Sequence, residues 1–272
     1  MKIALLLSGL PRQWQPSLLT QINMLAPNEV GVFFHFWDTV GASEKDEILR
    51  LTKPVAHSFE PQKDFSGFDH DPVVKPDNIN APSRLASQYY SWKQVGELFA
   101  PHAQEYDFAL RSRADLHFVN SVNYIFPQLG QNNIVAPWWD ENKLLADIFA
   151  LGDPASILYY HRLYDRLTEY AASCLFNPEV LLMQHLAEAQ PPIKVYTETN
   201  QQWYFVRRPH MAGMTLDECM KENPGRNKWL DPEVLKAHKD FHTAKKGNEG
   251  AQFVDFFTAS QLASLMKEKL KP

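Results

Sequence analysis

An apolar run that ends in charged residues occupies positions 106–118, Tyr106-Asp-Phe-Ala-Leu-Arg-Ser-Arg-Ala-Asp-Leu-His-Phe118. We predict a short buried strand whose carboxyl end presents Arg111, Arg113, Asp115 and His117. Because these residues alternate in sequence, they would lie on one face of the strand. Open α/β sheets bind ligands at the carboxyl ends of their strands, so this end is a candidate site for a phosphorylated ligand and a divalent cation. A solvated edge strand is the alternative interpretation.

Apolar runs and helical patterns alternate in the chain that precedes this segment. Strands are predicted at 2–7, 30–37 and 55–59, and helices are predicted after Pro16, at 43–52 and from Ser83. The proline- and aspartate-rich stretch 62–82 is predicted to be a long surface loop. The order βαβαβ indicates a parallel sheet that is covered by helices on both faces.

Further strands are predicted at 134–137, 148–151, 193–196 and 204–206, with a helix at 154–173 between them. Asn177-Pro178 is typical of a helix start. We therefore predict an α/β domain at residues 1–212, with a mostly parallel sheet flanked by helices. Residues 213–272 carry short helical signals and are predicted to form a helical C-terminal extension packed on that domain.

The composition bounds the partners and the compartment. The 272 residues carry a formal net charge of −5, so we expect no nucleic-acid binding. The two cysteines, Cys174 and Cys219, form no CxxC pair, which favours a reducing, cytoplasmic location. No window approaches the roughly 20 apolar residues of a spanning helix, so any membrane association is expected to be peripheral or through partners.

The loop Ser8-Gly9-Leu10-Pro11-Arg12 follows the first predicted strand. A phosphate would meet the sheet edge here, and Arg12 offers a fork able to bind a diphosphate. The loop lacks the glycines of a dinucleotide fingerprint and the lysine of a P-loop. A tight turn with a surface arginine is the alternative.

Two aromatic segments are candidates for base or sugar contacts. Trp37 could stack on a base or sugar while Asp38 accepts hydroxyl hydrogen bonds, although a buried aromatic pair is the alternative. Trp138, Trp139 and Asp140 resemble a sugar-binding loop and are candidates to bind an acceptor, although core tryptophans would explain the pair equally well.

Two isolated carboxylates, Asp147 and Glu179, are candidates to take a proton from an acceptor hydroxyl. For Glu179 the alternative is a favourable charge in a first helical turn. Arg207 and Arg208 close the last predicted core strand and could clamp a leaving diphosphate, followed by His210 as a potential metal ligand. A solvated strand end is the alternative for this cluster.

Taken together, these segments resemble bacterial and large-virus glycosyltransferases of the GT-A type, in particular WavE-like proteins encoded with lipopolysaccharide and capsule genes. The resemblance covers roughly residues 2–210. It is carried by the opening strand with Ser8-Gly9 and Arg12, by Phe36-Trp37-Asp38, by Gln88-Tyr-Tyr-Ser-Trp-Lys93, by Tyr106–Asp115, by Asp147-Ile-Phe-Ala-Leu-Gly152 and by Pro178-Glu179-Val-Leu-Leu182.

The resemblance implies a Rossmann-like sheet that holds a nucleotide sugar through a DxD motif and Mn²⁺ or Mg²⁺. Here the corresponding place reads Arg113-Ala-Asp-Leu-His117, with one aspartate of the motif. The resemblance also implies that Glu179 is the catalytic base and that His210 is a late metal ligand beside Asp115 and His117. Lys93 joins the residues expected to bind the donor.

The expected activity is the transfer of a sugar from a nucleotide sugar to a saccharide or lipid-linked acceptor in surface polysaccharide synthesis. One alternative is a nucleotide or sugar-phosphate hydrolase, or a nucleotidyltransferase, that uses the same carboxylate. Another is a non-catalytic carbohydrate-binding scaffold protein, for which the incomplete DxD motif is the supporting feature.

Overall fold

A computed structural model describes residues 1–12, 14–76, 80–118, 122–123, 125–139, 144–198, 203–205 and 256–257. The strands are β1 (Lys2–Gly9), β2 (Glu29–Trp37), β3 (Ala56–Glu60), β4 (Phe108–Arg113), β5 (Leu116–Phe118), β6 (Asn133–Trp139), β7 (Leu144–Leu145), β8 (Ala150–Gly152), β9 (Lys194–Glu198), β10 (Trp203–Phe205) and β11 (Phe256–Phe257). The α-helices are α1 (Trp14–Met24), α2 (Ala42–Thr52), α3 (Gly67–His70), α4 (Pro82–Phe99), α5 (Pro154–His161), α6 (Leu167–Ser173) and α7 (Pro178–Ala187). Short 3-10 helices span Ala100–Glu105, Phe126–Gln128 and Arg162–Arg166.

One mixed sheet organises the described part of the chain. Its order is β11-β9-β6-β8-β4-β1-β2-β3, and β7 pairs with β6 beside it. The strands β3, β2, β1 and β4 are parallel to one another, whereas β8 runs antiparallel to both β4 and β6. The predicted α/β class, with a sheet flanked by helices, is confirmed.

The chain reverses its direction of travel across the sheet between β1 and β4. It moves outward from β1 to β2 and β3, and then returns through α4 to form β4 on the other side of β1. In open α/β sheets, the crevice at the carboxyl ends of the strands beside such a reversal is where ligands bind. Gly9 and Arg113 end the two strands at this point.

Both faces of the sheet are buried, which explains why the strand sequences are continuously apolar. Along β1, Leu6 packs into a core with Trp92 of α4, while Leu5 and Leu7 pack on the opposite face with Leu18 of α1. We call these the α4 face and the α1 face. Among the helices of the described residues, none has the length and hydrophobicity that a membrane crossing requires.

The predicted strand at 106–118 is interrupted, which corrects the expectation that four charged side chains share one face. A turn at Ala114 and Asp115 separates β4 from β5, and β5 pairs with β10 in a separate two-stranded sheet. The amide of Gln21 on α1 stabilises this turn, because its Nε2 donates to the carbonyls of Arg113 and Leu116 at 2.7 and 2.8 Å.

The remaining expectations about elements have mixed outcomes. The predicted loop at 62–82 contains the short helix α3, and the predicted helix at 154–173 is divided into α5, a 3-10 helix and α6. The boundary predicted at residue 212 lies outside the described residues. Of the predicted extension, the structure describes only β11, which pairs antiparallel with β9.

Gly152 marks a close approach between β8 and the backbone of β6. A Cβ atom at this position would lie 2.5 Å from the carbonyl oxygen of Asn133 and 3.2 Å from Cγ1 of Ile134. We expect Gly152→Ala to lower the free energy of unfolding by about 1–3 kcal/mol, because the strands must separate. Urea unfolding measures this change. Gly67→Ala is the control, since a Cβ there meets no atom within 4 Å, and equal effects of the two substitutions would contradict the close approach.

Two buried histidines predict a loss of stability in mild acid. Burial lowers the pKa of His161 to about 3 and that of His185 to about 4. Below the ordinary histidine pKa of about 6.5, the unfolded state therefore binds protons that the folded state does not bind. The free energy of unfolding consequently decreases as the pH is lowered. Each group contributes about 1.4 kcal/mol per pH unit in this range.

The measurement is urea unfolding between pH 6.5 and 4.5. We expect His161→Phe to show a shallower loss of stability than the parent protein over this range. His70→Gln, at an exposed position in α3, should keep the parent slope. A His161→Phe variant with an unchanged slope would show that this histidine does not cause the effect.

Candidate functional site

The ends of β1 and β4 place three polar side chains on one face of the sheet. Ser8 pairs in register with Arg113, and Leu6 pairs with Arg111. Neighbours in register point to the same side of a sheet, and Leu6 belongs to the core of the α4 face. Ser8, Arg111 and Arg113 therefore lie on the α4 face, as the alternation of the two arginines predicted.

Arg111 is a buried cation, with 1% of its surface exposed. Its guanidinium carbon lies 4.0 Å from the centroid of the Trp92 ring, and its Nη1 donates to the backbone carbonyl of Asp147. Burial lowers the pKa of Arg111, but arginine keeps its charge in proteins. A solvated edge strand is excluded, because β4 lies between β1 and β8.

Arg113 and Asp115 form a bidentate ion pair at the carboxyl end of β4. Nε of Arg113 donates to Oδ1 of Asp115 at 2.8 Å, and Nη2 donates to Oδ2 at 2.9 Å. Burial alone would lower the pKa of Arg113, but the ion pair with Asp115 outweighs it and the pKa is raised. The Arg113 side chain stays 27% exposed, whereas that of Asp115 is 7% exposed. Asp115 thus holds a partly accessible guanidinium in a fixed orientation.

The two predicted carboxylates lie near a common neighbour, the buried hydroxyl of Tyr89. Burial raises the pKa of Tyr89, and the charges of Asp147 and Glu179 raise it further. Asp147 accepts a hydrogen bond from Nε2 of Gln88, and Tyr89 donates to the carbonyl of Pro178 at 3.1 Å. Asp147 also acts electrostatically on Arg113. Folding therefore brings Asp147 to the arginines and Glu179 to Tyr89, the neighbour that it shares with Asp147.

Glu179 has the local position that the sequence predicts. The side-chain oxygen of Asn177 accepts hydrogen bonds from the amides of Glu179 and Val180 at 3.1 and 3.0 Å, which caps α7. Glu179 lies in the first turn, where the helix dipole favours a carboxylate. Glu179 is therefore both favourably placed in the helix and close to Tyr89.

The loop after β1 bends sharply at this edge of the sheet. Gly9 has φ of +100°, a conformation that L side chains rarely adopt, and its amide donates to Oγ of Ser91 at 2.7 Å. The Arg12 amide donates to the carbonyl of Leu10 at 2.8 Å, and its side chain is exposed. Arg12 is thereby presented to solvent three residues beyond the end of β1.

Buried polar atoms in this region remain unsatisfied. Within the described part of the chain, Oγ of Ser8 and Nε of Arg111 have no hydrogen-bond partner. Buried polar groups in proteins are usually paired, so each exception calls for a reason. Oxygens of a bound ligand would satisfy donors of this kind.

Three predicted donor-binding residues have other roles in the structure. Trp37 is 1% exposed and stacks on Tyr90 with centroids 5.7 Å apart, so the buried aromatic pair is what the structure shows. Its burial corrects the expectation that it stacks on a ligand. Asp38 pairs with Lys45 at 2.5 Å. Lys93 pairs with Asp165 of the 3-10 helix at 2.6 Å.

The described residues do not supply the ligand set of a divalent cation. Arg113 engages both carboxylate oxygens of Asp115, and His117 lies on β5, outside the main sheet. Burial lowers the pKa of His117. In the described ranges, no three His, Cys, Asp or Glu residues are grouped to hold a metal. We therefore derive no step through Mn²⁺ or Mg²⁺.

The other predicted residues fall where the structure says little. Trp138 and Trp139 lie in β6, and their side chains are not described. Four residues lie outside the described ranges: the acceptor candidate Asp140, the basic pair Arg207 and Arg208, and the metal candidate His210.

A hydrogen-bonded chain that sequence reasoning missed adjoins the loop after β1. Nε2 of His35 lies 2.8 Å from Oε2 of Glu60, and Nδ1 lies 2.8 Å from Oγ of Ser91. Burial lowers the pKa of His35, which favours the neutral ring. Because Glu60 can only accept, Nε2 carries the proton and Ser91 donates to Nδ1. These hydrogen bonds fix the Ser91 hydroxyl, which accepts a hydrogen bond from the backbone amide of Gly9.

One signal for this chain was present in the sequence. His35 and Glu60 lie near the carboxyl ends of consecutive predicted parallel strands, which meet at one sheet edge. The contribution of Ser91 depends on how α4 packs.

Comparison of the chain with protein-family models and with curated proteins finds no match.

Proposed function

We propose that the protein is a GT-A-like glycosyltransferase, which moves a sugar from a nucleotide donor to a saccharide or lipid-linked acceptor, as in surface polysaccharide synthesis. One observation carries the proposal. Ser8 and Gly9 end β1, and the fixed pair of Arg113 and Asp115 lies at the end of the adjacent parallel strand β4, at the reversal point of the sheet. Such a crevice is where open α/β sheets bind nucleotide ligands.

The donor diphosphate is assigned to this crevice. Arg113 presents a partly exposed guanidinium that is already oriented by Asp115. A preorganised cation stabilises the negative charge that develops on a leaving diphosphate without reorganising during the reaction. The exposed Arg12, just beyond β1, is the second source of positive charge that we assign to this edge, and the buried Ser8 hydroxyl can donate to a phosphate oxygen.

The proton of the acceptor hydroxyl is assigned to Asp147, with Glu179 as the second candidate. As the acceptor oxygen bonds to the anomeric carbon, the bond from that carbon to the diphosphate oxygen breaks and the carboxylate takes the proton. Asp147 is favoured because it interacts with Arg113, which faces the leaving group. Arg111 holds the backbone of Asp147 in place.

The first experiment is a thermal-shift screen against UDP-, GDP- and CMP-sugars, each with and without Mn²⁺. A ligand selective for the folded state raises the melting temperature, so we expect at least one donor to do so. No shift with any nucleotide sugar would overturn the donor assignment. Incubation of the positive donor with saccharide acceptors then distinguishes transfer, which yields a glycoside, from hydrolysis, which yields free sugar.

A non-catalytic carbohydrate-binding protein is the second candidate. It is favoured by the engagement of Asp115 with Arg113, which occupies the one aspartate of the expected DxD motif. Titration calorimetry with UDP, GDP and CMP separates the two candidates. Saccharide binding without binding of any nucleotide would favour the scaffold.

A further inference from the structure

A cavity of about 430 Å³ lies beside α4, away from the arginine site. It is bounded by the segment that contains α3, by Tyr90 of α4, by Tyr164 of the 3-10 helix and by Thr168 of α6. Its volume is within the range of small-molecule sites, about 300–1,000 Å³. We call it the α3 cavity.

Aromatic rings form one wall of the α3 cavity. The ring centroids of Phe65, Tyr90 and Tyr164 lie 5.4–6.4 Å apart, and Tyr164 meets the other two rings edge to face. Trp37 supports this wall from behind, since it stacks on Tyr90. Phe68 adds a further ring to the lining. Nζ of Lys63 lies 4.2 Å from the centroid of the Tyr90 ring, so the C–H face of a pyranose would pack on the rings of Phe65, Phe68 and Tyr164 instead.

The charges around the α3 cavity disfavour an anionic ligand. Nζ of Lys63 lies 2.8 Å from Oε1 of Glu60 and also donates to the Tyr90 hydroxyl, so its charge is compensated. Asp64 and Asp71 add two negative charges to the lining. A phosphate or a nucleotide would be repelled here, whereas a neutral ligand rich in hydroxyl groups would not.

The acidic side chains are held in turns that orient them as acceptors. Oδ1 of Asp71 accepts the amide of Val73 at 2.9 Å, and Oδ1 of Asp64 accepts that of Ser66 at 2.8 Å. Counting the described residues only, Oδ2 of Asp71 has no hydrogen-bond partner. Carboxylate oxygens of this kind accept hydrogen bonds from sugar hydroxyls.

We infer that the α3 cavity binds a neutral pyranose unit of a saccharide, and that, given the proposed glycosyltransferase function, this saccharide is the acceptor. A short stretch of α4 connects the two regions. Gln88 donates to Asp147 at the arginine site, whereas Tyr90 forms part of the α3 cavity. Residues two positions apart project to opposite sides of a helix, so only an acceptor of several sugar units could reach from the α3 cavity around α4 to Asp147.

The test is saturation-transfer difference NMR with the methyl α- and β-pyranosides of glucose, galactose, mannose and N-acetylglucosamine, in the absence of nucleotide. We expect saturation of the protein to be transferred to the ring protons of at least one glycoside. Gly67→Trp should abolish it, because a Cβ at Gly67 meets no atom within 4 Å and the indole can fill the cavity without displacing backbone. Gly41→Trp, at an equally open position before α2, is the matched control.

Asp71→Asn is a second variant. It keeps a side-chain oxygen that can accept the hydrogen bond from the Val73 amide. We expect it to weaken binding by about threefold to tenfold, which is the cost of one altered hydrogen bond. The inference would be overturned if no glycoside received saturation from the protein, or if both the Gly67→Trp and the Asp71→Asn variants gave the same saturation transfer as the parent. The thermal-shift screen with nucleotide sugars separates the failure of the cavity assignment from the failure of the proposed function. If the proposed function is wrong, the parent protein shows no shift with any donor. If only the cavity assignment is wrong, the parent and Gly67→Trp both keep the shift.

Discussion

Replacement of Asp147 with asparagine is expected to lower the rate of sugar transfer by about a hundredfold to ten-thousandfold, the usual contribution of general base catalysis. The amide has the shape of the carboxylate but cannot take the acceptor proton. The fold should persist, since the backbone carbonyl of residue 147 still accepts from Arg111 and the side-chain oxygen can still accept from Gln88. Initial rates with the donor from the screen measure the effect.

Glu179→Gln is the matched control for this substitution. Both variants should keep the nucleotide-sugar thermal shift, because neither removes a group that we assign to the diphosphate. If Asp147→Asn retains full turnover while Glu179→Gln is inactive, the proton-accepting role belongs to Glu179. Full turnover by both variants would contradict the assignment of a carboxylate base to this site.

Replacement of Arg113 with methionine is expected to lower kcat/KM by about a hundredfold to a thousandfold, the typical loss when one charge-stabilising donor is removed. In the proposed reaction, the leaving diphosphate would lose the cation assigned to it, and the donor would also bind less tightly. Steady-state kinetics and the thermal shift measure the two effects. Arg166→Met is the control, because Arg166 forms a comparable bidentate pair with Glu169 on the surface. Equal losses in the two variants would contradict a specific role for Arg113.

The role of Asp115 can be separated from that of Arg113 by a double-mutant cycle. Asp115→Ala should lower kcat/KM by no more than Arg113→Met does, while the fold is retained. If Asp115 acts by orienting Arg113, addition of Asp115→Ala to Arg113→Met should cost little more than Arg113→Met alone. Additive losses would show that Asp115 contacts the donor or a cation directly. Full turnover by Asp115→Ala would contradict both roles.

The parts of the fold that were predictable depend on contacts within one element. The apolar run at residues 2–7 predicts a strand buried on both faces, and β1 is such a strand. Asn177 predicts a helix start, and it caps α7 through amides two and three residues ahead. These signals are local, because period and capping depend only on near neighbours in the chain.

The candidate site was predictable where it depends on strand ends. Alternation placed Arg111 and Arg113 on one face, and the order of elements placed Gly9 and Arg113 at one edge. The turn at Asp115 was not predictable, because its stabilisation comes from Gln21 on α1. The burial of Trp37 likewise follows from the packing of Tyr90 against it.

By itself, the amino-acid sequence determined the α/β class and the edge of the sheet at which polar residues collect, since hydrophobic periodicity and element order are properties of the chain. Tertiary structure alone decided which partners those residues have. The bond from Arg111 to Asp147 joins positions 36 residues apart, and that from His35 to Ser91 joins positions 56 apart. Such pairs, like the α3 cavity, exist only after helices pack on the sheet, because packing depends on the shapes of both surfaces.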